Sequence, residues 1–552
     1  MSEKCSVKGT TAAKIGLFAA IILVINSTIG IGIFFKNIGV FTANAGNGWT
    51  ILLSWLIAFF LAISVAIAFG ELLSSQRKKV SNLGIVGVGA DFLGKRVGRF
   101  LKIMYPIFYY PVFLLCISVF GAETIWNAAA YSPNGFNTHM VYILLIGAAL
   151  VIFFMVLNLI STKLSAGVSQ ASAWVVFVPL LGVAIVGIVF GTINPQGNLF
   201  TQEPPYEHLL QTFPGFNGAF EGIIKSLPAI FFTFDSFVIV SNISGEVKNP
   251  QKNVPLAIII GIICSGFLYV MITVGQIFVG FGNVFDVFPS IFGQGTTGAV
   301  VITTILSILV MISIFGLINS LCMSSIRMMQ ASIESEEVFF AKWFKNKEAK
   351  NALSWAMLAT CIMIFFYWLA VGIPSSLVGS KVTIDGNIYY GTDAIIDGMS
   401  NLIAVLNFLV YSIIIMGGIV NRWTRKVDVV KSKLFVPFGL IGAIGCIFVS
   451  AYCLTMEFGY YAFTAPLDTQ YLTWGLFLNR SEFLLDSNGN IIGYLRGSEI
   501  LRWQSAVVFW SAAIGYFAIP FINDLIIKMA NKKNRHQLLW EHGKNTTTIQ
   551  SK

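Results

Sequence analysis

A single aspartate interrupts an otherwise apolar and aromatic stretch, Phe231-Phe232-Thr233-Phe234-Asp235-Ser236-Phe237. An ionisable group in such surroundings is costly and by default functional. A carboxylate there can accept from freed backbone amides, face an ammonium, or cap a helix that restarts after it. A second unusual stretch is Asn26-Ser27-Thr28-Ile29-Gly30-Ile31-Gly32-Ile33-Phe34. Its two glycines let a helix unwind and a ligand approach the main chain. Unwound backbone in an apolar environment persists only where it lines a cavity or packs in protein. Amides freed at the start of a half-helix suit a carboxylate. The same residues read equally as a small-residue packing seam. A third group, Ser320, Ser324 and Ser325, falls at one-turn spacing. It offers either oxygen ligands for a sodium ion or small residues whose hydroxyls bond one turn back.

Much other chemistry is missing. His139, His208, His536 and His542 all fall in connecting segments or the tail, which argues against a buried histidine relay or metal site. None of the 7 cysteines forms a CxxC pair, so they read as packing residues. Gly89-Ala90-Asp91-Phe92-Leu93-Gly94-Lys95 imitates a phosphate-binding loop, but Arg96 stands where a magnesium-binding Ser or Thr belongs. Within the apolar runs the titratable groups are chiefly Glu123 and Asp235, with no acid, base or nucleophile set around them. The chain is expected to be no enzyme and to hold no cofactor or metal, beyond a sodium ion or proton as coupling ion. No filter-like repeat suggests a channel.

The elements that carry these residues are membrane spans. Of the 552 residues 56% are hydrophobic and 11% charged, against about a quarter charged in soluble domains. A spanning helix needs about 20 mostly apolar residues. Twelve runs meet that need: Ile15–Phe35, Trp49–Leu73, Leu101–Trp126, Val141–Ile160, Val168–Gly191, Gly222–Ser244, Val254–Gly280, Gly298–Met329, Ala352–Gly372, Ile395–Val420, Phe435–Met456 and Trp503–Ile527. They are numbered spans 1 to 12. No small-residue cleavage site sets span 1 apart as a signal peptide. With the amino terminus inside, 29 basic residues fall on the inner side and 6, Lys36 among them, on the outer, accounting for all 35. That asymmetry obeys the positive-inside rule and places both termini in the cytoplasm. The net charge of +10 therefore reports topology, and no nucleic-acid partner is expected. Asp385-Gly386 and Asp486-Ser487-Asn488-Gly489 each sit between short β-prone runs and predict two outer hairpins.

Ser244-Gly245-Glu246-Val247-Lys248-Asn249-Pro250-Gln251-Lys252-Asn253-Val254-Pro255 resembles the loop after span 6 in the amino acid–polyamine–organocation superfamily, whose form is E-x-x-N-P-x-[RK]-x-x-P. Phe232-x-Phe234-Asp235, Gly30-Ile31-Gly32-Ile33-Phe34, Gly70-Glu71-Leu72 and the segment from Arg327 are similar to that family as well. The resemblance covers about Ile15 to Arg422; spans 11 and 12 match in number rather than motif. It implies an all-α polytopic fold: a five-plus-five inverted repeat with broken spans 1 and 6, followed by two further helices. The divisions are 1–14 cytoplasmic tail, 15–192 first repeat, 193–221 outer loop, 222–421 second repeat, 434–528 last two spans with an outer loop at 458–502, and 529–552 cytoplasmic tail. It implies an amino acid permease of the plasma membrane, working by symport or exchange, or a carrier of a polyamine or other organic amine. The substrate carboxylate would meet amides of Thr28, Ile29, Gly30, Ile31 and Gly32. Its ammonium would meet carbonyls of Phe231, Phe232, Thr233 and Phe234, with Phe232 as outer gate and Asp235 and Ser236 at the break. Three departures stand out. Ser236 replaces a frequent glycine, which predicts a narrower break; Lys79–Gly89 lacks Pro-Ser-Gly-Gly; and span 5 lacks the lysine of proton-coupled members. Ser320, Ser324 and Ser325 resemble the sodium ligands of related broken-helix transporters. Tyr109, Tyr110 and Asn319 are candidate walls of the site.

Overall fold

The computed structural model describes residues 15–29, 32–44, 46–78, 84–129, 140–193, 197–201, 219–242, 247–280, 282–293, 296–345, 352–373, 381–384, 387–390, 394–460, 483–485, 491–494 and 509–530. All twelve apolar runs carry helix. Among the described residues, ten helices are long and apolar enough to cross a bilayer on their own. The bent pair Leu17–Thr28 and Gly32–Ala43 makes span 1, and the interrupted pair Ala219–Phe234 and Ile239–Asn242 makes span 6. The twelfth helix is described from Phe509 to Ala530; residues 503–508 of the run lie outside the described ones.

Polar residues fix where spans start. Asn47 Oδ1 accepts from the amides of Trp49 (3.0 Å) and Thr50 (3.2 Å) at the head of span 2. Thr296 Oγ1 accepts from Ala299 (3.3 Å) at the head of span 8. Each bond satisfies a donor that has no carbonyl one turn back. Phe153, Ile185 and Phe365 stand exposed on spans 4, 5 and 9, as befits helices whose solvent is hydrocarbon. The most apolar stretch of span 3 is 100% buried, against 33% in span 9, so span 3 runs through the interior of the bundle.

The motif after span 6 has a structural use. Val247 pairs with Ile15 in a parallel bridge, and the Lys248 amide donates to the Ile15 carbonyl at 2.8 Å. The loop thus ties the end of span 6 to the start of span 1. Asn249 sits in the left-handed region at φ 45°, which asparagine tolerates better than most residues, and Pro250 opens the span 7 helix, Pro250–Val279. Ser244, Gly245 and Glu246 lie outside the described residues. The phosphate-loop look-alike folds as two helices, Gly84–Leu93 and Lys95–Met104, joined at Gly94 (φ 95°), with no strand before them among the described residues. Both hairpins form. Lys381–Ile384 pairs antiparallel with Asn387–Tyr390, and Phe483–Leu485 with Ile491–Tyr494. None of the six described cysteines forms a disulfide among the described residues; the four histidines and Cys5 lie outside them.

Candidate functional site

The two interruptions meet. The first helix of span 1 ends at Thr28 and the second begins at Gly32, with a bend of 43° between them; Gly30 and Ile31 lie outside the described residues. Span 6 is helical to Phe234, turns through Asp235–Val238 and resumes at Ile239. Ser236 takes φ 72°, the left-handed conformation glycine adopts without strain. Serine in place of glycine therefore does not keep the helix from breaking. A Cβ built on Gly32 would lie 2.6 Å from the Thr233 Cα, so spans 1 and 6 approach as closely as they do because residue 32 has no side chain.

Tyr269, from span 7, joins the two ends. Its hydroxyl proton is shared between the carbonyls of Thr28 (2.7 Å) and Thr233 (3.1 Å). Sequence reasoning passed over this residue; the only signal was a lone tyrosine in a mostly aliphatic run.

Asp235 is buried, and four donors surround it. Oδ2 accepts from the Tyr109 hydroxyl (2.8 Å). Oδ1 accepts from Asn407 Nδ2 (2.7 Å), the Ser236 amide (2.8 Å) and the Tyr411 hydroxyl (3.3 Å). Tyr105 donates in turn to Asn407 Oδ1 at 2.5 Å. No ion pair to Asp235 occurs among the described residues. Hydrogen bonds to a charged group contribute about 1.5–3 kcal/mol each. A set composed wholly of donors suits the ionised carboxylate. Span 3 supplies Tyr109 and span 10 supplies Asn407 and Tyr411, so Asp235 fastens the break in span 6 to both.

Toward one end of the bundle, Phe232 is buried edge-on against Phe113 (5.5 Å between centroids) and Phe120 (6.3 Å). Lys36 Nζ lies 4.8 Å from the centre of the Phe232 ring and 5.3 Å from that of Phe120, within cation–π range. The same ammonium pairs with Asp397 Oδ1 (2.6 Å) and donates to Ser400 Oγ (2.6 Å). The charge census placed Lys36 on the outer side; its side chain is 1% exposed, inside the bundle, and links span 1 to span 10. At the opposite end Arg422 pairs with Glu71 (2.6 Å), linking span 10 to span 2.

The three serines of span 8 do not turn to one point. Ser320 Oγ bonds Ser169 Oγ (3.0 Å) on span 5 and the Gly316 carbonyl (2.9 Å). Ser324 pairs with the Tyr110 hydroxyl (2.9 Å) on span 3. Ser325 bonds back to the Cys322 carbonyl (2.9 Å). Asn319 belongs to a neutral network with Asn158, Ser165 and Ser169. Asn26 of span 1 accepts from Ser172 (3.3 Å). Of the candidate wall residues, Tyr109 touches the break while Tyr110 and Asn319 bond elsewhere.

The sequence matches the amino acid permease family over residues 15–476. It is similar to the serine/threonine exchanger of Bacillus subtilis, 22% identical over 66% of this chain and 78% of that one. It is 24% identical to the b(0,+)-type amino acid transporter 1 of Mus musculus, over 80% of this chain and 83% of the mouse protein. The methylthioribose transporter of Bacillus subtilis is 26% identical over 48% of this chain and 54% of its own length. The chain belongs to the amino acid permease family and is a multi-pass membrane transporter.

Proposed function

We propose that this member of the amino acid permease family carries an amino acid across the plasma membrane by alternating access, as a symporter or an exchanger. The observation that carries the reading is the meeting of two interrupted spans at a buried point, with Gly32 against Thr233 and Tyr269 on both carbonyls. Interrupted spans in corresponding halves of a chain point to a transporter's substrate site. The substrate carboxylate lies toward the amides of Thr28–Gly32 and its ammonium toward the carbonyls of Phe231–Phe234. Phe232 closes the outer side under the Lys36–Asp397 pair, and the Glu71–Arg422 pair closes the inner side. Each exit requires one buried ion pair to part, so the two states exchange one pair's energy for the other's. The basic asymmetry, 29 residues against 6, supports placing both termini in the cytoplasm. The coupling ion is a proton or sodium, or none in exchange.

A second reading, a carrier of a small organic amine, is favoured by Asp235, a buried carboxylate with donors but no ion pair among the described residues. Uptake of a labelled panel of amino acids and amines into liposomes holding the purified protein tests both. Each solute is tried with a sodium gradient, a proton gradient or internal amino acid. Uptake of amino acids supports the first reading, and uptake of amines alone replaces it with the second.

A further inference from the structure

Where span 10 ends and span 11 begins, a cavity of about 440 Å³ opens between Arg422, Trp423, Lys431, Ser432 and Lys433, with Ile419 and Val436 as its apolar wall. Three cations line it. Arg422 is shared with Glu71 (2.6 Å) and the Ser432 carbonyl (2.7 Å), and its guanidinium carbon lies 5.2 Å from the centre of the Phe435 ring. Its Nε is buried without a hydrogen-bond partner. Lys431 and Lys433 are exposed and form no ion pair among the described residues. Trp423 is 76% exposed and Leu434 51%, side chains that suit the headgroup boundary of a bilayer rather than water. The cavity thus combines two exposed lysines without an ion pair among the described residues, an arginine whose buried Nε–H lacks an acceptor, and apolar side chains that suit the membrane surface.

We infer that this cavity binds the phosphate of an anionic phospholipid headgroup, its acyl chains lying along Ile419 and Val436. Basic clusters beside a span recognise such headgroups, each lysine or arginine strengthening binding roughly fivefold. Phosphate oxygens would accept hydrogen bonds from the ammonium groups of Lys431 and Lys433 and from the Arg422 guanidinium. Because Arg422 also holds Glu71, an occupied cavity competes for the group that closes the inner end. The inner leaflet follows from the proposed orientation; the binding itself does not depend on what the protein carries.

Native mass spectrometry of the full-length protein in detergent tests this, titrating phosphatidylglycerol against phosphatidylcholine. The wild type is expected to retain phosphatidylglycerol preferentially. Lys431→Ala with Lys433→Ala should weaken that retention about thirty-fold, equivalent to about 2 kcal/mol. Lys95→Ala with Arg96→Ala removes the same charge from the same side and should change it less than threefold. Unchanged phosphatidylcholine binding shows that the variants are folded. Equal binding of the two lipids by the wild type, or equal losses in both double variants, would overturn the site. Displacement of the lipid by millimolar inorganic phosphate would reassign it to a free anion.

Discussion

Gly32→Ala tests the meeting of the two breaks most directly. The added Cβ would stand 2.6 Å from the Thr233 Cα, about 0.8 Å inside the 3.4 Å at which ordinary contact begins. The opposing atom is backbone, so no rotamer change relieves it, and shortening Thr233 to alanine would leave the clash. Overpacking of this kind costs about 1–3 kcal/mol. Alanine returns up to about 1 kcal/mol of helix propensity. Gly39, on the same helix, has nothing within 4 Å of its built Cβ, so Gly39→Ala gains propensity without a clash. The two substitutions should therefore differ by about 1–3 kcal/mol, or roughly 5- to 150-fold in the population of the state in which spans 1 and 6 touch. Liposome uptake should fall by about that factor in Gly32→Ala and stay within twofold in Gly39→Ala. Thermal unfolding in detergent should separate misfolding from lost transport. Equal uptake by the two variants would refute the close approach and the site built on it.

Tyr109→Phe removes one of four donors to Asp235 and should lower stability by about 1.5–3 kcal/mol, read from a denaturation midpoint; no change would mean the carboxylate is held otherwise. Lys36→Met should destabilise more than Lys36→Met with Asp397→Leu, since the single change strands a carboxylate and the double one does not; additive effects in that cycle would argue against an outer latch. Ser236→Gly should stabilise by up to about 1 kcal/mol with transport retained, because φ 72° costs serine and not glycine; a lower melting temperature would contradict it. Replacing sodium by choline should leave uptake within twofold, because the hydroxyls of Ser320, Ser324 and Ser325 bond to separate partners; a larger loss would restore a sodium site.

The sequence determined the spans, both hairpins, the loop that opens span 7 and the two places where helices break. These follow from local rules. Hydropathy over about 20 residues marks a span, Asp-Gly marks a turn, and glycines or an aspartate in an apolar run mark an interruption. Tertiary structure alone decided what the breaks face. Tyr269, Tyr105, Asn407 and Tyr411 lie on spans 3, 7 and 10, and hydropathy carries no information about a helix's rotation or its neighbour. Lys36 could be assigned a side of the membrane but not a radial position, so its place over Phe232 stayed hidden. The serines of span 8 share a spacing but separate in contact, because a helix of 38 residues passes several neighbours along its length. Short-range sequence patterns fix backbone course. Which polar side chain meets which is set by helices hundreds of residues apart in the chain, brought together only by packing.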